Sequence, residues 1–178
     1  MLAGSTPPRL SLLLCAAALL LASSPASAAP PIRNGGNIGL GLGATTQIVG
    51  LDTKYWMNES MSFQMVLGSY GLLGGLDPLV LGVDADLLLE LPSLYDSDDF
   101  DLGVNAGVGG IFASSLDVDM VGGANLIVGI EANIDAVPLD VGLDYRPAIF
   151  FLDDLDGLGG ESFRLDLVEF GAHIRYWF

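Results

Sequence analysis

Hydrophobic and polar residues alternate with a period of two along most of the chain after residue 36. The alternation is first seen at residues 38–43 and recurs at 49–56, 61–68, 79–90, 102–109, 124–133, 137–146 and 169–178. Successive residues of a β-strand point to opposite faces, so this period indicates strands with one apolar and one polar face. The pattern therefore predicts eight strands and no helix in this region.

The predicted strands and connections have the proportions of a membrane barrel. A tilted strand crosses hydrocarbon in about 9 to 11 residues, and most of these segments are close to that length. Connections 58–60 and 135–136 are short, whereas 69–78 and 147–162 are long, as expected for periplasmic turns and outside loops. Two connections fit less well, because 92–101 is too long for a periplasmic turn and 45–47 too short for an outside loop.

The fold class that follows is all-β: an eight-stranded antiparallel up-and-down transmembrane β-barrel. A soluble barrel that encloses an apolar ligand has the same alternation, so other features must decide. The polar face is rich in glycine and small residues, which suit the narrow lumen of eight strands. Aromatic residues lie near strand ends on the apolar face, where membrane barrels carry aromatic girdles: Tyr55, Phe63, Tyr145, Tyr176 and Phe178.

Residues 1–28 resemble a secretory signal peptide. Arg9 precedes an apolar run at 10–21, Pro25 follows it, and 26–28 read Ala-Ser-Ala, which predicts cleavage before Ala29. The run is too short to span a membrane as a helix. Cys15 follows Leu14 rather than a small residue, so lipidation is not expected. The predicted organisation is signal peptide 1–28, a short lead 29–36 and the barrel 37–178.

The charge of the chain is strongly acidic. It has 22 Asp and Glu against 6 Lys and Arg, for a formal net charge of −16 at pH 7. Binding to nucleic acid needs clustered Lys and Arg, so this class of partner is excluded. The only cysteine lies in the predicted signal peptide, so the mature part has no disulfide and no thiol chemistry.

Residues 171–178 resemble the C-terminal signal of bacterial outer-membrane proteins. The resemblance lies in a terminal aromatic residue, a second aromatic two residues earlier and apolar residues at alternate positions before it, namely Phe178, Tyr176, Ile174, Ala172 and Phe170. It implies that the barrel assembly machinery recognises this strand during insertion.

Segments 50–59 and 138–145 resemble a family of small outer-membrane β-barrel proteins with OmpA-like and OmpX-like architecture. Together with the last strand, the resemblance covers residues 37–178. It implies that the protein lies in a Gram-negative outer membrane in contact with its lipids, and it implies no enzymatic reaction.

The polar face carries most of the charge of the predicted barrel. By parity the lumen receives an acidic set, a basic set and the only histidine: Asp52, Asp84, Asp86, Glu131, Asp140, Asp144 and Glu169; Lys54, Arg146 and Arg175; and His173. Buried salt bridges would hold the lumen shut. Because acids outnumber bases, the surplus must meet water, hold a cation or stay protonated.

The sequence gives little support for catalysis or for metal binding. His173 with a nearby serine such as Ser62 would be needed for acyl transfer, but the chain has no such motif. The acidic segments 153–161 and 96–101 are candidates for divalent cations, yet neither has EF-hand spacing, so solvated loops are expected. No cofactor and no dedicated metal site are predicted.

The function expected from sequence is that of a non-enzymatic outer-membrane barrel with a structural role or a surface-interaction role through its acidic loops. One alternative is a narrow, porin-like channel for cations or small solutes. The other is a soluble periplasmic barrel that binds an apolar ligand.

The processing prediction can be checked directly. We expect the exported protein to begin at Ala29, because residues 26–28 present small side chains to signal peptidase. Mass spectrometry of the membrane form measures this. Retention of Met1, or a lipid on Cys15, would contradict it.

Overall fold

A computed structural model describes residues 37–70, 80–114, 120–134, 136–152 and 163–178. Within these ranges the chain is all-β, without helices, and no helix is long and apolar enough to cross a membrane. The strands are β1 (Ile38–Thr45), β2 (Ile48–Asn58), β3 (Met61–Tyr70), β4 (Leu81–Asp96), β5 (Phe100–Ser114), β6 (Met120–Ile134), β7 (Leu139–Tyr145), β8 (Ala148–Leu152), β9 (Phe163–Asp166) and β10 (Phe170–Trp177).

The sheet closes on itself. Its order is β5-β4-β3-β2-β1-β10-β7-β6, and β5 also pairs with β6. All of these neighbours are antiparallel, and β1 pairs with β10 from Gly39↔Trp177 to Thr45↔Gly171. The predicted eight-stranded antiparallel barrel is therefore confirmed as a fold.

The seventh and eighth strands of the barrel are each divided in two. β7 and β8 keep one register against β6, but Pro147 lies between them and cannot donate to the ladder. β8 pairs with β9, so the prediction of a loop over 147–162 is wrong at its beginning. Between β9 and β10, Leu167 and Val168 are both exposed, which marks a local break in the alternation.

The segment 92–101 is not the long connection that the sequence predicts. β4 continues to Asp96 and β5 begins at Phe100, so the two strands form a tight hairpin. The Ser97 hydroxyl donates to the carbonyl of Phe100 at 2.9 Å, and the rings of Tyr95 and Phe100 stack at 5.2 Å. The pairing of β4 with β5 is irregular between Leu91 and Tyr95, where Pro92 lies. The alternation of hydrophobic and polar residues is interrupted at the same place in the sequence.

The connection between β1 and β2 is short, as predicted. The Thr45 hydroxyl accepts the N–H groups of Gln47 at 3.2 Å and Ile48 at 2.9 Å, which closes the turn. The predicted loops at 71–78 and 153–161 lie outside the described residues, as does Asp135 of the predicted turn.

The two faces of the wall differ in chemistry. The outward face is apolar, with exposed side chains that include Leu42, Leu51, Leu67, Leu126, Val128, Leu143 and Ile174. The aromatic residues Tyr55, Phe63, Tyr145, Tyr176 and Phe178 also lie on this face. The inward face carries charged and polar residues that are buried from solvent. Hydrophobic outside and charged inside is the reverse of a water-soluble globular protein.

Candidate functional site

The structure places every charged residue of the predicted lumen set inside the barrel. Asp52, Lys54, Asp84, Asp86, Glu131, Asp140, Asp144, Arg146, Glu169, His173 and Arg175 are all buried. Glu169 stands apart from the others, because its carboxylate accepts a hydrogen bond from the side-chain amide of Gln47 at 2.6 Å near the β1–β2 turn. The remaining residues form two connected clusters.

The first cluster, the Arg175 cluster, is centred on a fully buried guanidinium. Arg175 Nε donates to Asp140 Oδ1 at 3.0 Å, and Nη2 donates to Glu131 Oε1 at 2.6 Å. Nη1 reaches Asp52 Oδ1 at 3.3 Å. The three carboxylates belong to β7, β6 and β2, so one side chain ties distant parts of the wall together.

Lys54 completes this cluster from the other side of the lumen. Its Nζ lies 2.7 Å from Glu131 Oε2 and 2.8 Å from Glu90 Oε1. Strands β2 and β6 are four apart in the closed order, so the Lys54–Glu131 pair crosses the barrel. Glu90 also accepts a hydrogen bond from the Ser62 hydroxyl. Parity along β4 could have identified Glu90, which falls in phase with Asp84 and Asp86.

The second cluster, the Arg146 cluster, binds three carboxylates with one base. Arg146 Nη1 pairs with Asp84, Nη2 pairs with Asp86, and Nε lies 3.6 Å from Asp144 Oδ2. Asn125 Nδ2 donates to Asp84 Oδ1 at 3.1 Å. This cluster therefore has a formal surplus of negative charge, and it also spans the lumen, because Arg146 follows β7 and the two aspartates belong to β4.

His173 lies between the two clusters. Its Nε2 is 2.6 Å from Arg175 Nη2 and 3.4 Å from Glu131 Oε1, and its Nδ1 is 3.7 Å from Asp144 Oδ2. No hydrogen bond joins it to Ser62 in the described part of the chain, since the hydroxyl of Ser62 donates to Glu90. This geometry does not provide an activated serine.

Glu131, Asp140 and His173 offer ligand atoms within 4.8 Å of one another, which is a spacing that suits a metal ion. The guanidinium of Arg175 already lies against all three side chains. A metal ion there would have to displace a buried cation that makes charge-assisted hydrogen bonds, so these residues do not form a metal centre.

Apolar layers close the lumen on both sides of the charges. At one end, called the Phe150 end, Ile48, Val66, Ile111, Ala148 and Phe150 form a buried cluster, with Tyr70 and Val121 packed against it. At the other, the Trp end, Trp56 and Trp177 are buried with ring centroids 6.4 Å apart.

The tryptophan layer is joined to the Arg175 cluster. Trp177 Nε1 donates to Asp140 Oδ2 at 2.9 Å, and the Arg175 guanidinium carbon lies 5.9 Å from the ring centroid of Trp177. Lys54 Nζ lies 5.2 Å from the ring centroid of Trp56. These cation–π contacts orient both bases toward the apolar layer.

Two inward glycines face space that large side chains already fill. A Cβ at Gly142 would collide with the imidazole of His173, and a Cβ at Gly39 would lie 3.2 Å from the ring of Trp177. The space beside these glycines is therefore filled by large side chains of neighbouring strands.

Comparison of the chain with family models, with curated proteins and with solved structures finds no match.

The Arg175 cluster gives a stability prediction. We expect Arg175→Ala to lower the free energy of unfolding by about 3–5 kcal/mol, because it leaves buried carboxylates without their partner. Urea titration of the refolded barrel, followed by tryptophan fluorescence, measures the change.

Arg164→Ala is the matched control for this prediction. Its salt bridge to Asp166 is 2.8 Å long, but the Arg164 side chain is 62% exposed, so at most about 1 kcal/mol is expected. Equal losses for the two variants would contradict a structural role for the Arg175 cluster.

Proposed function

We propose that the protein is a non-enzymatic β-barrel of a bacterial outer membrane, exported by the signal peptide 1–28. The observation that carries this proposal is the polarity of the wall, which is apolar outside and charged inside. Large apolar side chains on a continuous outer surface are unfavourable in water and favourable against lipid. The ring β5-β4-β3-β2-β1-β10-β7-β6 is closed, so these eight strands pair on both sides, as a β-structure in hydrocarbon requires. Among the described residues, the short strand β9 pairs with β8 alone.

The alternative of a soluble barrel with an apolar ligand is less well supported. Such a barrel needs an apolar cavity inside and a polar surface outside. Here Arg175, Lys54 and Arg146 pair with carboxylates across the interior instead. Apolar residues of the lumen form a buried cluster at one end and a pair of tryptophans at the other.

The same lumen supports a closed barrel rather than an open pore. Eight strands leave an interior that side chains can fill. The ion pairs cross this interior, and an apolar layer lies beyond them in each direction. A narrow cation channel is the second candidate, favoured by the excess of lumen carboxylates, because carboxylates select cations in pores.

With a closed lumen, the protein would act through its ends. The described parts of β3, β5 and β8 end at Tyr70, Ser114 and Leu152 at the Phe150 end, and the acidic segment 153–161 follows the last of these in sequence. We therefore assign the role to structure or to surface interaction at this end, in which the acidic loops would meet cationic partners or divalent cations.

Assembly would use the outward face of β10. Phe170, Ala172, Ile174, Tyr176 and Phe178 all point outward from this strand, so the barrel assembly machinery would meet them from the lipid side. Outer-membrane lipids are then the lasting neighbours of the same residues.

Conduction tests the closed lumen. We expect no steady conductance from the wild-type protein in planar bilayers, and increased cation leakage from Arg146→Ala, which removes the base that crosses the lumen to Asp84 and Asp86. Steady cation current from the wild type would make the channel the better function. Large anion-preferring steps would contradict the acid-rich lumen altogether.

A charged substitution on the outward face tests whether the barrel lies in a membrane. Leu87 is 41% exposed on the outward face of β4. In lipid vesicles, Leu87→Arg should lower the free energy of unfolding by about 2–4 kcal/mol, which is the cost of arginine at the bilayer midplane. Denaturant titration of vesicle-refolded protein measures it, and extraction of the native protein without detergent would contradict a membrane location.

Gly103→Ser is the matched inward-facing control, with a smaller expected effect. The nearest atom to a Cβ at Gly103 is the carbonyl oxygen of Glu131 at 3.8 Å, so the lumen accepts the change. Gly82, an inward glycine on the same strand as Leu87, is not a suitable control, because a Cβ there would lie 2.9 Å from Ile48 Cδ1. A larger loss for Gly103→Ser than for Leu87→Arg would show that the two faces are interchanged.

A further inference from the structure

The barrel wall extends further on one side of the Phe150 end than on the other. β8 pairs with β6, and β9 pairs with β8, beyond the region in which β10 pairs with β1. On the other side of β10, β1 ends at Thr45, opposite Gly171, and the chain turns back into β2 at Ile48. β1 therefore stops short of β9, and among the described residues the second edge of β9 has no strand beside it.

This edge offers main-chain groups and apolar side chains to a further strand. Alternate residues of a strand direct their N–H and C=O groups to opposite edges, so about half of those of β9 point away from β8. Proteins commonly protect an edge strand with lysine or proline. β9 has neither, since it reads Phe-Arg-Leu-Asp, and Phe163 and Leu165 are 58% and 60% exposed. The edge of β9 is therefore suited to pairing with another strand.

The sequence along this edge is complementary to itself in antiparallel pairing. Arg164 and Asp166 flank Leu165, and one large apolar residue lies next to each of these charges. A second, antiparallel copy centred on Leu165 places Arg164 of each chain opposite Asp166 of the other. It also places Phe163 of each chain opposite Leu167 of the other. Opposite charges directly across a strand pair stabilise it, so a second copy of this chain fits the edge.

The charges also exclude the neighbouring registers. Sliding one copy by two residues in either direction places Arg164 opposite Arg164 of the second copy, or Asp166 opposite Asp166. Like charges directly opposite each other destabilise a strand pair. Sliding by one residue places Arg164 opposite Leu165 or Leu167, so neither charge meets an opposite charge. The pairing centred on Leu165 is therefore the one that the charges of β9 favour.

Both charges lie on one face of β9 and are accessible. Arg164 is opposite Phe150 in the ladder with β8, and Asp166 is opposite Ala148, so the two charges share the inner face. Within the strand, Arg164 Nη2 and Asp166 Oδ2 pair at 2.8 Å, and the Arg164 side chain is 62% exposed. A second copy would exchange this local pair in each chain for a pair between the chains, without leaving either charge alone.

We propose that β9 is a self-association edge, at which a second copy of this chain adds its own β9 as an antiparallel strand in the register centred on Leu165. Each copy uses one edge, so association stops at a two-fold symmetric dimer. Antiparallel pairing points the two barrels in opposite directions and joins them at their Phe150 ends. In an outer membrane, the two copies would therefore belong to two facing membranes. That consequence rests on the proposed function, whereas the pairing itself does not.

A single cysteine tests the register, because residues 29–178 contain none of their own. Residue 165 would lie opposite itself, and the Cα atoms of directly opposite residues are about 4.5–5.5 Å apart, within the range of a disulfide. Leu165→Cys, refolded in detergent and oxidised, should give a disulfide-linked dimer as its main product on a non-reducing gel. Leu143→Cys is the matched control, since Leu143 is 58% exposed on the outward face of β7, and it should stay monomeric.

Charge reversal tests the same pairing without a covalent bond. Arg164→Asp and Asp166→Arg should each weaken dimerisation at least about tenfold, because each places like charges opposite each other twice. An equimolar mixture of these two variants should recover a dimer, since every charge then meets its opposite, and so should the chain that carries both substitutions. Sedimentation equilibrium in density-matched detergent measures association, and circular dichroism checks that each variant is folded.

Crosslinking confined to Leu165→Cys, together with recovery of the dimer in the mixture, would support the proposal. A wild type that stays monomeric would overturn it and leave the edge to a strand of a different protein. Dimers that persist in both single charge variants would overturn it as well, because the contact would then lie elsewhere on the barrel. These measurements are made in detergent, so a failure of the membrane location does not alter their outcome.

Discussion

The guanidinium of Arg175 lies fully buried among Asp140, Glu131 and Asp52, which come from three different strands. A charge removed from water is stable only when partners surround it. Asp140 lies directly opposite Arg175 in the ladder between β7 and β10, whereas Asp52 reaches Arg175 through the pairing of the first strand, β1, with the last, β10. Lys54 and Arg146 form ion pairs across the lumen. The closed barrel and these crossing ion pairs support each other, since the Lys54–Glu131 pair joins strands that are four apart in the ring.

The rest of the architecture follows from this constraint. Because each strand alternates, a charged lumen fixes an apolar outer wall, and that wall favours lipid as its surroundings. The lumen is completed by side chains without charge: the tryptophans at one end and the Phe150 cluster at the other. A filled interior of this kind favours function at the ends of the barrel over transport through it.

A period of two is local information, so parity along the sequence indicates which side of a strand a charged residue occupies, but Glu90 and Asp101 were not predicted to point inward and both do. Parity could not predict the pairing of the charges, because the partner of Lys54 lies 77 residues away and is set by the tilt and register of strands around the barrel. Inward apolar residues such as Ile48 and Phe150 follow the same parity but look like exceptions to a polar face. The β4–β5 hairpin and β8 were missed for a different reason. Pro92 interrupts the pattern inside β4, and Pro147 separates β7 from β8 without changing their register against β6. Asp101, assigned from sequence to an acidic loop, is buried because β5 begins at Phe100 and turns it inward.

Lys54 tests most directly whether the lumen is closed around its charges, because it is the only lysine of the chain. Its side chain has no solvent exposure and pairs with Glu90 and Glu131. The mature protein, folded in lipid vesicles, can be treated with a small amine-reactive acylating reagent and compared with the urea-unfolded protein by peptide mass spectrometry. We expect modification of the α-amino group alone in the folded protein, and of both amines in the unfolded one. Modification of Lys54 at the same rate in both states would contradict a closed lumen.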